Sequence, residues 1–153
     1  MIIPAERGGR GRAVSLWWRR LVLASGALIV ANGFHGVDHI RQGLGRLSAE
    51  VIVGGQGLLL LALIPFLLAL RRHRAAPQAA VFVGVWTALG VVGSHLLPHW
   101  SAFSDPYFDQ DLDVLSWVLM SSVIAIAAIL GAVGMIAARR HSNPQATMPP
   151  PGS

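Results

Sequence analysis

Residues 51–70 read Val-Ile-Val-Gly-Gly-Gln-Gly-Leu-Leu-Leu-Leu-Ala-Leu-Ile-Pro-Phe-Leu-Leu-Ala-Leu, twenty consecutive residues without a charge. A hydrocarbon layer about 30 Å thick takes roughly 20 residues of helix, because each residue advances about 1.5 Å and every backbone polar group is satisfied internally. This stretch alone decides the fold class: a helix that is apolar on every face fits lipid and has no place on the surface of a water-soluble domain. Gln56 is its one strongly polar side chain, and Pro65 predicts a kink.

Three more stretches of the same kind flank it. The spans are expected at about 21–37, 51–70, 79–97 and 113–138, which gives an all-α integral membrane protein, a bundle of four transmembrane helices over residues 16–140. The remainder reads as a basic Gly/Arg tail over residues 1–15 and a Pro-rich tail over 141–153, both expected to be disordered because they hold little apolar surface to bury. A signal-peptide reading of the basic start fails, since no small-residue cleavage site follows and three more spans do.

Charge supplies the orientation. Ten of the twelve arginines (7, 10, 12, 19, 20, 71, 72, 74, 139 and 140) lie at one set of span ends, and six of the seven acids lie at the other with Arg41 and Arg46. Loops rich in arginine stay in the cytoplasm, so both termini are expected inside (N-in/C-in), in a plasma (inner) membrane. The arginines bracket apolar runs and form no basic face interleaved with aromatics, which argues against nucleic acid as a partner and for the lipid bilayer. The chain has no cysteine, which excludes disulfides, thiol chemistry and thiolate zinc sites. Gly-rich phosphate loops, HExxH and GxSxG patterns are also missing.

The polar residues that remain within the spans cluster at two of their ends. The first span closes on Asn32-Gly-Phe-His35-Gly-Val-Asp38-His39, and the third on Ser94-His95-Leu-Leu-Pro98-His99. Ionisable side chains are costly in a membrane and mark function by default. Each segment carries histidines four residues apart, which share a face of a helix, and both spans run in the same direction, so the two pairs reach the same leaflet. Neutral imidazole suits zinc, copper and iron, and a carboxylate balances the cation's charge and orients the rings. His35, His39, His95 and His99 are therefore read as metal ligands, with Asp38 as a fifth ligand or orienting partner and Asp109 of the acidic loop leaning over them.

Two alternatives stand beside that reading. The cluster holds the helices together with no metal, in a structural or assembly protein, or His35 and His95 are axial ligands of a b-type haem in an electron carrier, with Gly33, Gly36 and Gly93 making room for the porphyrin. Pro98 between His95 and His99 threatens the helical geometry of that pair. Short loops leave little space for a soluble catalytic domain, so a role as subunit or accessory factor of a larger membrane complex is expected.

The topology is open to direct labelling. Single cysteines introduced in this cysteine-free chain at Gly45 and Ser101 are expected to react with a membrane-impermeant maleimide on intact cells, and cysteines at Ala5 and Ser142 only after lysis; labelling of the latter two from outside would overturn the orientation.

Overall fold

The computed structural model describes residues 7–142, with side chains from 16 onward except those of residues 44, 141 and 142. Its long elements are four helices: α1 (Arg7–Gln42), α2 (Ala49–Leu70), α3 (Ala76–His95) and α4 (Val114–Ser142). Single 3-10 turns lie at Leu44–Arg46 and Tyr107–Asp109, and the described residues contain no strand. All four helices are long and apolar enough to cross a membrane, over Leu16–Gln42, Ala49–Leu70, Ala76–His95 and Val114–Arg140.

The boundaries move where local chemistry dictates. α1 begins at Arg7, so residues 7–15 of the expected N-terminal tail continue the helix, as no proline after Pro4 interrupts its hydrogen-bond ladder; residues 1–6 and 143–153 of the two expected tails lie outside the described residues. α1 also runs past 37 and stops at Gly43, whose φ of 103° suits only glycine. There the Gly43 N–H bonds the carbonyls of His39 and Ile40, which keeps His35, Asp38 and His39 on regular helix. α2 is started by Ser48, whose hydroxyl oxygen accepts from the Val51 N–H, and it runs unbroken across Pro65. Pro77 stands in the first turn of α3, where its missing N–H costs nothing, and α3 ends at His95, before the 97 expected.

Consecutive helices pack side by side and α4 closes back on α1, so α1 and α3 are diagonal partners that touch little. The most extensive interface joins α3 to α4. There small residues let the helices close together: a Cβ built on Gly84 would stand 2.5 Å from the Gly131 nitrogen and 2.6 Å from the Ala127 oxygen, and one on Gly134 would stand 2.7 Å from the Pro77 oxygen. Backbone thus lies against backbone, the packing that holds apolar helices together when hydrophobic segregation does not. Leu21, Leu28, Met120, Val123 and Leu130 fill the centre. At the arginine-rich end, Arg140 of α4 stands 4.6 Å over the Trp17 ring of α1, a cation–π contact between first and last helix. α2 buries only Ala62, Pro65 and Ala69, and Val53, Leu60, Ile64 and Leu67 face outward.

The seam between α3 and α4 predicts a contrast between glycines. Gly84→Ala should lower stability in detergent by about 1–3 kcal/mol through overpacking, whereas Gly57→Ala on α2, where an added Cβ meets nothing within 4 Å, should stay within about 0.5 kcal/mol; unfolding in mixed micelles followed by circular dichroism measures both.

Candidate metal centre

His35 and His39 lie one turn apart on α1, and His95 is the last residue of α3. The two helices are diagonal, so long side chains rather than backbones bridge the axis of the bundle. There the three imidazoles meet, with one ring nitrogen from each within 4.8 Å of the others. Ring centroids are 4.6 Å apart for His35 and His39, 5.2 Å for His35 and His95, and 5.3 Å for His39 and His95. His35 and His95 are buried, with their Nε2 atoms 3.4 Å apart.

That spacing is informative. A direct N–H···N bond prefers about 2.9–3.0 Å. Two nitrogens bound to one ion at about 2.05 Å with a tetrahedral angle stand about 3.3 Å apart, and rings so placed have centroids about 5 Å apart. The His35 and His95 nitrogens therefore stand at the separation that a shared ion requires, and the His39 ring lies alongside with a nitrogen within 4.8 Å of theirs.

The loop between α3 and α4 orients the third ring. The Asp105 N–H donates to the Ser94 carbonyl at 2.8 Å, and the Asp105 carbonyl oxygen lies 3.0 Å from His95 Nδ1. A carbonyl only accepts, so Nδ1 carries the proton and Nε2 presents its lone pair to the cluster, the outer-partner arrangement that fixes metal-binding histidines. The side-chain Oδ1 of Asp105 accepts from Gln110 Nε2 at 2.6 Å, while its Oδ2 is buried without a hydrogen-bond partner, 3.7 Å from His95 Nδ1.

Tyr107 closes the cluster from the loop side. It is fully buried, its ring 4.6 Å from that of His95, 6.4 Å from those of His35 and His39, and edge-on to Trp117 at 5.5 Å. Burial pushes its phenol up from the usual value, so the hydroxyl stays protonated at physiological pH. Four buried atoms here lack a partner among the described residues: His35 Nδ1, His39 Nδ1, Asp105 Oδ2 and Tyr107 OH. Native proteins satisfy most such groups, and exceptions gathered at one place call for a ligand or water.

The other expected site residues are placed elsewhere. Asp38 is buried, but it turns toward α4: its Oδ1 accepts from Arg41 Nε at 2.8 Å and its Oδ2 from Gln42 Nε2 at 2.6 Å. With both oxygens engaged, it anchors Arg41 and is no member of the histidine group. His99 lies past the end of α3 and is exposed, because Pro98 stops the helix before the second turn that would have stacked it on His95. Asp109 is exposed as well, in the 3-10 turn that carries Tyr107, and the place over the cluster expected for it is taken by Tyr107.

Arg41 links α1 to α4. Its Nη1 and Nη2 donate to the two oxygens of Asp113 at 2.8 and 2.9 Å, and Nη2 also reaches Ser116 Oγ at 3.0 Å. Asp113 in turn accepts from the Ser116 N–H at 3.1 Å and so caps α4. The Arg41 guanidinium, followed by the Ser116 N–H, holds the Asp113 carboxyl below its usual range, at about 2.

Comparison with protein-family models, with curated proteins and with solved structures found no match, so the chemistry rests on the geometry above.

A carboxyl whose acidity is strengthened by folding stabilises the fold above its unfolded pKa of about 3.9 and ceases to do so as pH falls through its folded value. Asp113→Asn should therefore lower the unfolding temperature in detergent at pH 6, and the difference from the native protein should shrink as the pH approaches 2.

Proposed function

We propose that this protein is an integral membrane protein, with both termini in the cytoplasm, that binds one transition-metal ion (zinc, copper or iron) through His35, His39 and His95 near the outer surface of a plasma (inner) membrane. The observation that carries this reading is the 3.4 Å separation of His35 Nε2 and His95 Nε2 with His39 closing the triangle. The membrane setting is supported by the four apolar helices and by arginines at one end of them with acids at the other.

Three protein ligands leave a coordination position open, the arrangement of sites that exchange or act on a bound molecule rather than merely hold structure. The charge of the ion would be balanced by the Asp105 carboxylate, whose Oδ2 is unpartnered. The Tyr107 ring, packed against that of His95, would cover the ion from the loop side. The ion would polarise a ligand in the open position as a Lewis acid. A role as subunit or accessory factor of a larger membrane complex belongs to the same reading.

The geometry favours a bare ion over haem. Two axial nitrogens of a haem lie about 4 Å apart on opposite sides of a wide disc, whereas His35 and His95 Nε2 stand 3.4 Å apart with the His39 ring crowded beside both. A metal-free cluster is the second reading, because 3.4 Å also lies within the outer range of a weak hydrogen bond between His35 and His95.

Metal content by mass spectrometry, with an absorption spectrum of the same detergent-purified sample, separates the three: a Soret band selects haem, near-stoichiometric ion without one selects the proposed site, and neither selects the structural cluster. For the proposed site, His35→Ala, His39→Ala and His95→Ala should each weaken binding by about 100-fold or more, beyond the loss typical of an outer partner. The His35→Ala/His95→Ala double variant should be hardly worse than either single one, as groups acting as a unit are not additive. His99→Ala and Asp109→Ala should retain the metal. Protons compete for the same lone pairs, with an unperturbed imidazole pKa of about 6.5, so affinity should fall between pH 7 and pH 5 with proton release on binding.

A further inference from the structure

A groove of about 960 Å³ opens between α1, α2 and α3, with His35, His39 and His95 in its wall. The corner where α1 meets α4, at the opposite end of the bundle from the histidines, is different in kind, because there the protein offers cations. One indole holds two of them: the guanidinium carbon of Arg20 stands 4.7 Å from the centre of the Trp17 ring, and that of Arg140 stands 4.6 Å from it. Trp17 itself is packed against the core, so the ring fixes both groups within the reach of a single headgroup. A guanidinium over a ring face keeps free the N–H donors that lie in its own plane. Neither group has a carboxylate partner among the described residues. No acid among the described residues lies at this end, where Arg19 and Arg139 stand exposed beside the pair.

Two long side chains already ordered by the fold lose little freedom when they bind an anion. Their depth selects which anion. Arg20 is one turn inside the apolar span that begins at Leu16, and Arg140 is the last residue of the span Val114–Arg140, so both stand at the border between hydrocarbon and headgroups. Apolar side chains continue from each of them along the outside of the bundle. Leu23 and Ala27 follow Arg20 at i+3 and i+7, Ile136 and Ile129 precede Arg140 at i−4 and i−11, and all four are exposed. Eleven residues of helix advance about 16 Å, close to half of a hydrocarbon layer of about 30 Å, the depth that one acyl chain fills. A zwitterionic lipid would bring its ammonium among arginines with no carboxylate to receive it, so a headgroup of net negative charge is preferred.

We propose that this corner binds an anionic phospholipid, its phosphate oxygens accepting from Arg20 and Arg140 and its acyl chains lying along the outside of α1 and α4. The site rests on the membrane part of the reading above and is independent of the metal. The bound lipid joins the first helix to the last at the arginine-rich end, as Arg41 and Asp113 do at the other.

The test is native mass spectrometry of the full chain released from a neutral detergent, after titration with phosphatidylglycerol or, in a parallel series, with phosphatidylcholine of the same acyl chains. One phosphatidylglycerol is expected to bind saturably, with phosphatidylcholine about tenfold weaker. Arg20→Gln and Arg140→Gln should each weaken phosphatidylglycerol about fivefold, the contribution of one arginine beside an anionic lipid, and Arg71→Gln in the turn between α2 and α3 should leave it unchanged. Arg20 and Arg140 are exposed, so both variants keep the fold. Equal affinity for the two lipids, an equal loss in Arg71→Gln, or displacement of the lipid by millimolar inorganic phosphate would overturn the lipid site. Extraction of the chain from cell membranes by alkaline carbonate would overturn the membrane reading itself, whereas a chain that stays with the membrane and shows no preference for phosphatidylglycerol overturns the lipid site alone.

Discussion

The bond from His95 Nδ1 to the Asp105 carbonyl is the interaction on which the histidine end of the molecule depends. It sets the tautomer of His95 and turns Nε2 to the bundle axis, and the same Asp105 residue caps the Ser94 carbonyl at the end of α3. One residue thus finishes a helix, aims a ligand atom and begins the segment that lays Tyr107 over the rings. Without it, α3 would end in unpaired carbonyls beside an imidazole free to rotate. The diagonal placement of α1 and α3 adds the second condition, because imidazoles have the reach to meet across an axis where backbones do not.

Much of this was legible in the sequence for physical reasons. Four apolar runs near bilayer length allow little besides helices, and the i, i+4 spacing of His35 and His39 follows from helical periodicity. His99 shares that spacing with His95, yet Pro98 removes the helix that the spacing presupposes. Asp38 was read as a partner of the histidines beside it in sequence, but its charge is settled by Arg41 and Gln42 on its own helix, which are in turn held by Asp113 and Ser116, more than seventy residues away. Nothing local announces such a pairing. Tyr107 and the backbone of Asp105 were missed as parts of the site because a loop residue's depth depends on where the loop folds back. The one available signal was that the only tyrosine of the chain sits, after a proline, in a loop otherwise rich in acids.

The bundle is unequal around its axis. On one side the glycine seam brings α3 and α4 to backbone contact, and Arg41 ties α1 to α4 through Asp113. On the other, Gly33 and Gly36 of α1 and Gly55 of α2 face space instead of a neighbouring backbone. The same residue type serves opposite ends, close approach where a neighbouring backbone fills the vacancy and volume where none does. This division leaves the three imidazoles at the wall of the groove on the α2 side, with His95 alone oriented by the loop that leads to α4.

α2 carries that asymmetry furthest. Its buried residues, Ala62, Pro65 and Ala69, all lie in its second half, while its first half is held at the loop end by the Ser48 hydroxyl on the Ala102 carbonyl and by Phe103 against Gly54. Between those two attachments α2 meets α3 through the flexible side chain of Leu58 against Gly90, not through backbone contact. In the bilayer setting proposed above, lipid would form the fourth wall of the groove between α1, α2 and α3, and its lateral pressure and thickness would bear on the groove's width as a mutation does.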